Sequence, residues 1–140
     1  MPVKNILIPV DGSSHATTAT EYAIKMACIF QASVVILHCH RSFPVILGEP
    51  HNQKVIDKIN EKSDELMQSY RTLMDRSEVP YSERILEGPA AATICNTAKN
   101  LNCDLIVMGC RGRTTLEGLI LGSVTHRVLH AAPCPVLVVR

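Results

Sequence analysis

Hydrophobic positions in this chain follow two patterns, short unbroken apolar runs and stretches in which apolar residues return every three or four positions. The first run, Lys4 to Val10 (KNILIPV), is closed by Asp11-Gly12 and predicts a strand buried on both faces. Ser13 or Ser14 then caps a helix on which Ala16, Ala19, Ala23, Met26, Ala27 and Phe30 share one face. Ser33 to Cys39 (SVVILHC) is a second continuous apolar strand. From His40 to Asn52 no period holds and Pro44, Gly48 and Pro50 intervene, which predicts a surface loop. Between Gln53 and Ser77 the apolar stripe Val55, Ile56, Ile59, Leu66, Met67, Tyr70, Leu73 and Met74 opposes a charged face, giving the longest helix. Tyr81 to Glu87 alternates weakly and stops at Gly88-Pro89, as a half-exposed strand near a sheet edge does, and Ile94, Ala98 and Leu101 mark a third helix. Asp104 to Met108 (DLIVM) is a further buried strand. A glycine-rich loop and a short helix, Val124 to His130, then lead to the strand Val136 to Val139, which Pro133 and Pro135 introduce.

Strands that alternate with helices through right-handed crossovers build a parallel sheet covered on both faces, so the expected class is α/β, doubly wound, as a single domain over residues 1–140. Hydrophobic residues make up 46% and charged residues 19%, a balance that excludes disorder. No apolar run approaches the ~18 residues of a membrane span. The opening MPVKNILIPVDGSS reads as strand and turn rather than as a secretory signal, and the expected location is the cytoplasm. With 14 basic and 13 acidic residues intermixed, the net charge of +1 creates no field for gripping nucleic acid. Cys28, Cys39, Cys95, Cys103, Cys110 and Cys134 form no Cys-x-x-Cys pair and sit mostly in apolar segments, so free thiols are expected rather than a disulfide framework.

The chemistry concentrates after DLIVM. Gly109-Cys110-Arg111-Gly112-Arg113 is followed by Thr114 to Leu121 and then by Gly122-Ser123 opening the short helix, a spacing of G-x2-G-x9-G-S. Gly109 and Gly112 are read as positions of positive φ and close backbone approach, where peptide N–H groups converge on phosphate oxygens. Gly122-Ser123 adds the N-terminus of a helix, whose first amides lack internal acceptors and whose dipole favours an anion. Neither G-x-x-x-x-G-K-[ST] nor G-x-G-x-x-G is present, and a plain turn followed by a helix cap accounts for the same glycines. Independent support comes from topology. Ligands of open parallel sheets bind beyond the carboxyl ends of strands, where Pro9-Val10-Asp11-Gly12 and Met108-Gly109 both fall. Asp11 there has two readings, an acceptor for ribose hydroxyls and a turn or N-cap residue.

Other candidates are weaker. Cys110 is either a thiol activated by nearby amides and Arg111 or an inert packing group. His126 and His130 have metal-compatible i, i+4 spacing but no evident third ligand, and His38 and His40 take no role.

The segments ILIPVDGSS, VILHC and DLIVMGCRGRTTLEGLILGSVTHRVLHAAPCPVLVVR together resemble the universal stress protein family over the whole chain, with the G-x2-G-x9-G-[ST] element of its ATP-binding members complete. The resemblance implies a five-stranded parallel sheet in order 3-2-1-4-5, Rossmann-like and of the adenine nucleotide alpha hydrolase type, with ATP at the junction of the first and fourth strands. It implies adenine and ribose contacts from Pro9, Val10 and Asp11 and an adenine pocket closed by Cys39. Met108, Gly109, Arg111, Gly112, Gly122, Ser123, Val124 and Thr125 would line the phosphate side. ATP, or AMP or ADP, would carry Mg²⁺ or Mn²⁺ on its phosphates, with no protein-borne metal site. A homodimer through Val136–Val139 is implied as well, and an apolar edge strand gives that a physical basis. Cys110 stands where a small polar residue is common, and Pro89-Ala90-Ala91-Ala92 lacks a frequent acidic residue. Arg111 and Arg113 could stabilise phosphate charge, while Glu117 is the only carboxylate near the loop. The expected function is therefore a nucleotide-dependent stress-response or signalling module recognised by a protein partner; the alternative is a slow ATPase or adenylate-transferring enzyme using the same pocket.

Overall fold

In the computed structural model, which describes residues 2–41, 48–111 and 121–140, strand and helix alternate as β1 (Asn5–Pro9), α1 (Ser14–Phe30), β2 (Ser33–His40), α2 (His51–Ser77), β3 (Tyr81–Glu87), α3 (Ala90–Asn100), β4 (Leu105–Gly109), α4 (Ser123–Ala131) and β5 (Val136–Val139). All pairings are parallel and the sheet order is β3-β2-β1-β4-β5. The order predicted from the resemblance is the order observed. Among the described residues no helix is long and apolar enough to cross a membrane.

Strands that read as continuous apolar runs are covered on both faces, because alternate residues feed two separate cores. On one face Ile6, Ile8, Val34, Ile36 and Val107 pack under α1 and α2, through Ala16, Ala19, Ala23, Met67, Tyr70 and Met74. On the other, Leu7, Leu37, Ile106 and Met108 pack under α3 and α4, through Ile94, Ala98 and Val128. The alanine stripe of α1 lets that helix lie close to the central strands.

Two polar devices tie the sheet. Asp104, just before β4, accepts the backbone amides of Lys4 (2.8 Å) and Asn5 (2.9 Å) on one carboxylate oxygen, joining the amino ends of β4 and β1. Those two amides hold its carboxyl below the usual carboxylate range. At the far edge, Arg71 of α2 forms a two-pronged pair with Glu83 of β3, both contacts at 2.8 Å, and reaches Asp64 at 2.7 Å. The Arg71 guanidinium lowers the Glu83 carboxyl accordingly.

Some expectations shift. Phe30 does not share the buried stripe of α1 but is 45% exposed, since the helix runs on to its last turn beyond the core that covers Ala16 to Ala27. α2 begins at His51 and β2 runs on to His40, so the predicted loop is shorter at both ends; the part of it at residues 42–47 lies outside the described residues. Pro50 at the N-cap marks the helix start better than loss of periodicity does.

The central feature for function is where pairing stops. β1 and β2 are in register through Pro9↔Leu37, and β4 and β5 through Gly109↔Val139. The β1–β4 ladder spans only Ile6↔Leu105 and Leu7↔Ile106. The two middle strands therefore part at their carboxyl ends, at the point where connections turn to opposite sides of the sheet.

Candidate functional site

A cavity of about 290 Å³ occupies that opening. Pro9, Val10 and Asp11 enter it from β1, Cys39 from β2, Met108, Gly109 and Arg111 from the end of β4, and Gly122, Ser123, Val124 and Thr125 from the start of α4. Eleven of the twelve residues singled out from the sequence thus line one space; the twelfth, Gly112, lies outside the described residues, as do Arg113 and Glu117. The remaining walls are Ala16, Leu37, Ala90 and Ile94. Sequence reasoning missed these four because each reads as ordinary core or helix start. Leu37 was within reach, since it shares a strand face with Cys39 two positions on.

Apolar lining comes from Val10, Leu37, Cys39, Ala90, Ile94 and Met108. Burial pushes the Cys39 thiol up to about 11, so it is neutral and acts as a soft apolar wall. Polar character comes from Asp11, Arg111 and the first turn of α4.

The turn from β1 into α1 is held by a set of bonds. Val10 donates its amide to the Leu37 carbonyl at 2.8 Å. The Val10 carbonyl lies 3.0 Å from His38 Nδ1, and since a carbonyl only accepts, that nitrogen carries the proton. His38, to which the sequence assigned no role, is therefore an anchor of the turn. Gly12 sits at φ 83°, and its amide donates to the Tyr70 hydroxyl at 3.1 Å. Asp11 Oδ1 accepts from the Ser13 amide at 2.9 Å, whereas the helix N-cap is Ser13, whose Oγ accepts from Ala16 at 3.2 Å. Of the roles open to Asp11 on sequence, the N-cap belongs to its neighbour; a turn bond and a place in the cavity wall are both observed.

Gly109 requires a correction. It is the last residue of β4, paired with Val139, and is not among the glycines with positive φ. Its missing side chain makes room for α1 instead: a Cβ there would stand 2.8 Å from His15 Cβ and 2.9 Å from the His15 carbonyl carbon. The positive φ is therefore not observed; Gly109 lines the cavity and is in addition closely approached by the backbone of α1.

Beyond Gly109 the loop is stitched at its base. Cys110 donates its amide to Val139 (2.9 Å) and accepts from the Gly122 amide (2.7 Å). The Cys110 thiol is buried, stands 3.9 Å from His15 Nδ1 and does not line the cavity. Buried Thr125 donates its hydroxyl to the Gly109 carbonyl at 2.9 Å, fastening the start of α4 to the end of β4. The first backbone bond of α4 runs from the His126 amide to Gly122 at 3.0 Å, so the amides of Ser123, Val124 and Thr125 precede the helical ladder, and among the described residues no side chain caps them. His126 and His130 lie on the exposed side of this helix, and no group of three or more potential metal ligands occurs among the described residues.

Sequence and fold over the whole chain place it beside known proteins. Residues 2–140 match the model of the universal stress protein family. A universal stress protein of Methanocaldococcus jannaschii is 35% identical over 98% of this chain and 82% of its own. The solved structure of the universal stress protein UspA from Lactobacillus plantarum superimposes with a TM-score of 0.88 at 27% identity, covering 100% of this chain and 99% of that one. Two more distant structures share the fold: a universal stress protein in complex with cAMP (TM-score 0.71, 22% identity, covering 100% and 98%) and one from Archaeoglobus fulgidus in complex with dAMP (TM-score 0.71, 17% identity, covering 100% of both chains). With the family model spanning all but the first residue, this chain belongs to the universal stress protein family.

Proposed function

We propose that this protein binds an adenine nucleotide, ATP with Mg²⁺ or Mn²⁺ on its phosphates, and that the occupied form is the signal read by a protein partner. The observation that carries the proposal is the junction, in one cavity, of an apolar slot with the first turn of α4, whose N-cap is Gly122. A purine ring suits walls of Leu37, Cys39, Ile94 and Met108, and Asp11, which lines the same cavity, would accept from sugar hydroxyls. Phosphate oxygens suit the amides of Ser123, Val124 and Thr125, reinforced by the helix dipole and by Arg111. The related proteins solved with cAMP and dAMP hold ligands of the same class, though at their identity they argue for the fold alone. Calorimetric titration with ATP and magnesium is expected to give one site per chain, and ATP at about 100 times its dissociation constant should add about 2.7 kcal/mol of stability. Absence of heat with ATP, ADP and AMP alike would overturn the proposal.

We propose also that the protein is a homodimer joined at β5. The carbonyls of Pro135 and Val139 bond to β4, and by the two-residue alternation of a strand the N–H and C=O of Val136 and Val138 point outward. Val138→Pro removes an outward donor while sparing the bonds to β4. Light scattering is expected to read a dimer for the wild type and a folded monomer for the variant; a wild-type monomer at micromolar concentration contradicts the proposal.

A further inference from the structure

We infer that Tyr70 is a positioning residue of the nucleotide site, acting on it through the Asp11–Gly12 turn. The inference rests on the adenine-nucleotide reading above and assigns a role to a residue that does not line the cavity. Tyr70 sits on α2, is 0% exposed and packs in the core on the α1–α2 face of the sheet. A phenylalanine would supply nearly the same packing. What the hydroxyl adds is an acceptor, 3.1 Å from the Gly12 amide.

That amide needs one. Gly12 lies beyond the last residue of the β1–β2 ladder, and at φ 83° its peptide has left the extended conformation from which a strand amide reaches its neighbour. The residue before Asp11 is fixed by the His38 ring on the Val10 carbonyl, and the residue after it by the Tyr70 hydroxyl on the Gly12 amide. Asp11, between these two points, has its carboxylate aimed further by the Ser13 amide. With the Tyr70 oxygen gone, the Gly12 amide loses this partner and the turn is held by His38 before Asp11 and by the Ser13 bonds after Gly12, so the Asp11 carboxylate is set less firmly against a bound sugar. The cost then falls on the part of the ligand that carries hydroxyls. Leu37 and Cys39 face the opposite side of β2 from Tyr70 and pack in the other core, and α4 lies on that other side too, so purine and phosphate contacts do not depend on the Tyr70 hydroxyl.

The test is calorimetry of wild type, Tyr70→Phe, Asp11→Ala and the double variant, each with ATP and with 2′,3′-dideoxy-ATP in magnesium. Wild type is expected to prefer ATP over the dideoxy form by about tenfold or more, the worth of a hydrogen bond to a charged group. Tyr70→Phe should erase most of that preference, weakening ATP by roughly five- to tenfold while dideoxy-ATP binds as before. In the Asp11→Ala background the same substitution should change ATP affinity by less than about twofold. A variant that keeps the wild-type preference, or that weakens both ligands equally, would show Tyr70 to be a packing residue and would end the inference while leaving nucleotide binding intact. If wild type binds both nucleotides equally, Asp11 is no sugar acceptor and the inference falls with it. If wild type binds neither, the adenine-nucleotide reading itself fails. Hydrogen exchange at the Gly12 amide gives a readout without ligand: Tyr70→Phe should speed it while central-strand amides such as Ile36 exchange as in wild type, and a Gly12 rate equal to wild type would overturn the inference by itself.

Discussion

Gly109→Ala is expected to destabilise the protein by roughly 2–3 kcal/mol, at the upper end of what added bulk costs a well-packed interior. The three atoms that an added methyl group would meet are the Cβ of His15 at 2.8 Å, its carbonyl carbon at 2.9 Å and its carbonyl oxygen at 3.0 Å. Two of these belong to the backbone of α1, in a turn already fixed by the Ser13 cap, so no side chain can simply swing away. Relief requires α1 to lift from β4 or β4 to give at its end. Both movements disturb Thr125, whose hydroxyl is bonded to the Gly109 carbonyl, and thereby the start of α4. Urea unfolding followed by circular dichroism checks this: the midpoint should fall with the slope unchanged, as for a loss of stability without a change in the unfolded chain. A change under about 0.5 kcal/mol, the range of an ordinary surface substitution, would mean that the helix does not seat against this glycine.

Much of the fold was legible because buried parallel strands and amphipathic helices write different periods into a sequence. KNILIPV, SVVILHC and DLIVM each became a strand with an offset of at most one residue at either end, and the alanine spacing of α1 marked its buried face. Phe30 broke the pattern because periodicity reports which side of a helix faces the core but not how far along the helix the core extends. The strand order was not in the periodicity at all; it came through the resemblance carried by the terminal motifs.

The cavity residues were legible where function and backbone conformation coincide, at Asp11 and at Gly122-Ser123. They were misread in detail where one residue type answers two demands. A glycine that admits a helix backbone and a glycine that admits a ligand look alike in sequence, and the close approach of α1 at Gly109 was not legible there. Tyr70 and His38 stayed hidden for a related reason. Each sits on a segment whose pattern already explains an apolar or edge position, and only the folded chain brings its polar atom to the turn, from 58 residues away for Tyr70 and 28 for His38.

Ser123→Asp is expected to move stability and nucleotide binding in opposite directions. Ser123 is the first residue of α4, exposed and on the cavity wall, with Gly122 as the N-cap and, among the described residues, no side chain on the orphan amides. A carboxylate in a first helical turn interacts favourably with the helix dipole, so the variant without ligand should gain about 0.3–1 kcal/mol. The same charge competes for the amides that a phosphate would use. At about 5 Å and an effective dielectric near 20, two like charges repel by about 3 kcal/mol, or roughly a hundredfold in affinity. ATP should therefore lose about two orders of magnitude of affinity and AMP less, while adenosine, which has no phosphate, should bind as it does to wild type. Destabilised protein would weaken all three ligands together, so the pattern across them separates an electrostatic effect at α4 from general damage. If ATP binds the variant as well as it binds wild type, its phosphates do not rest on the amides of α4, and the cavity holds its ligand in some other orientation.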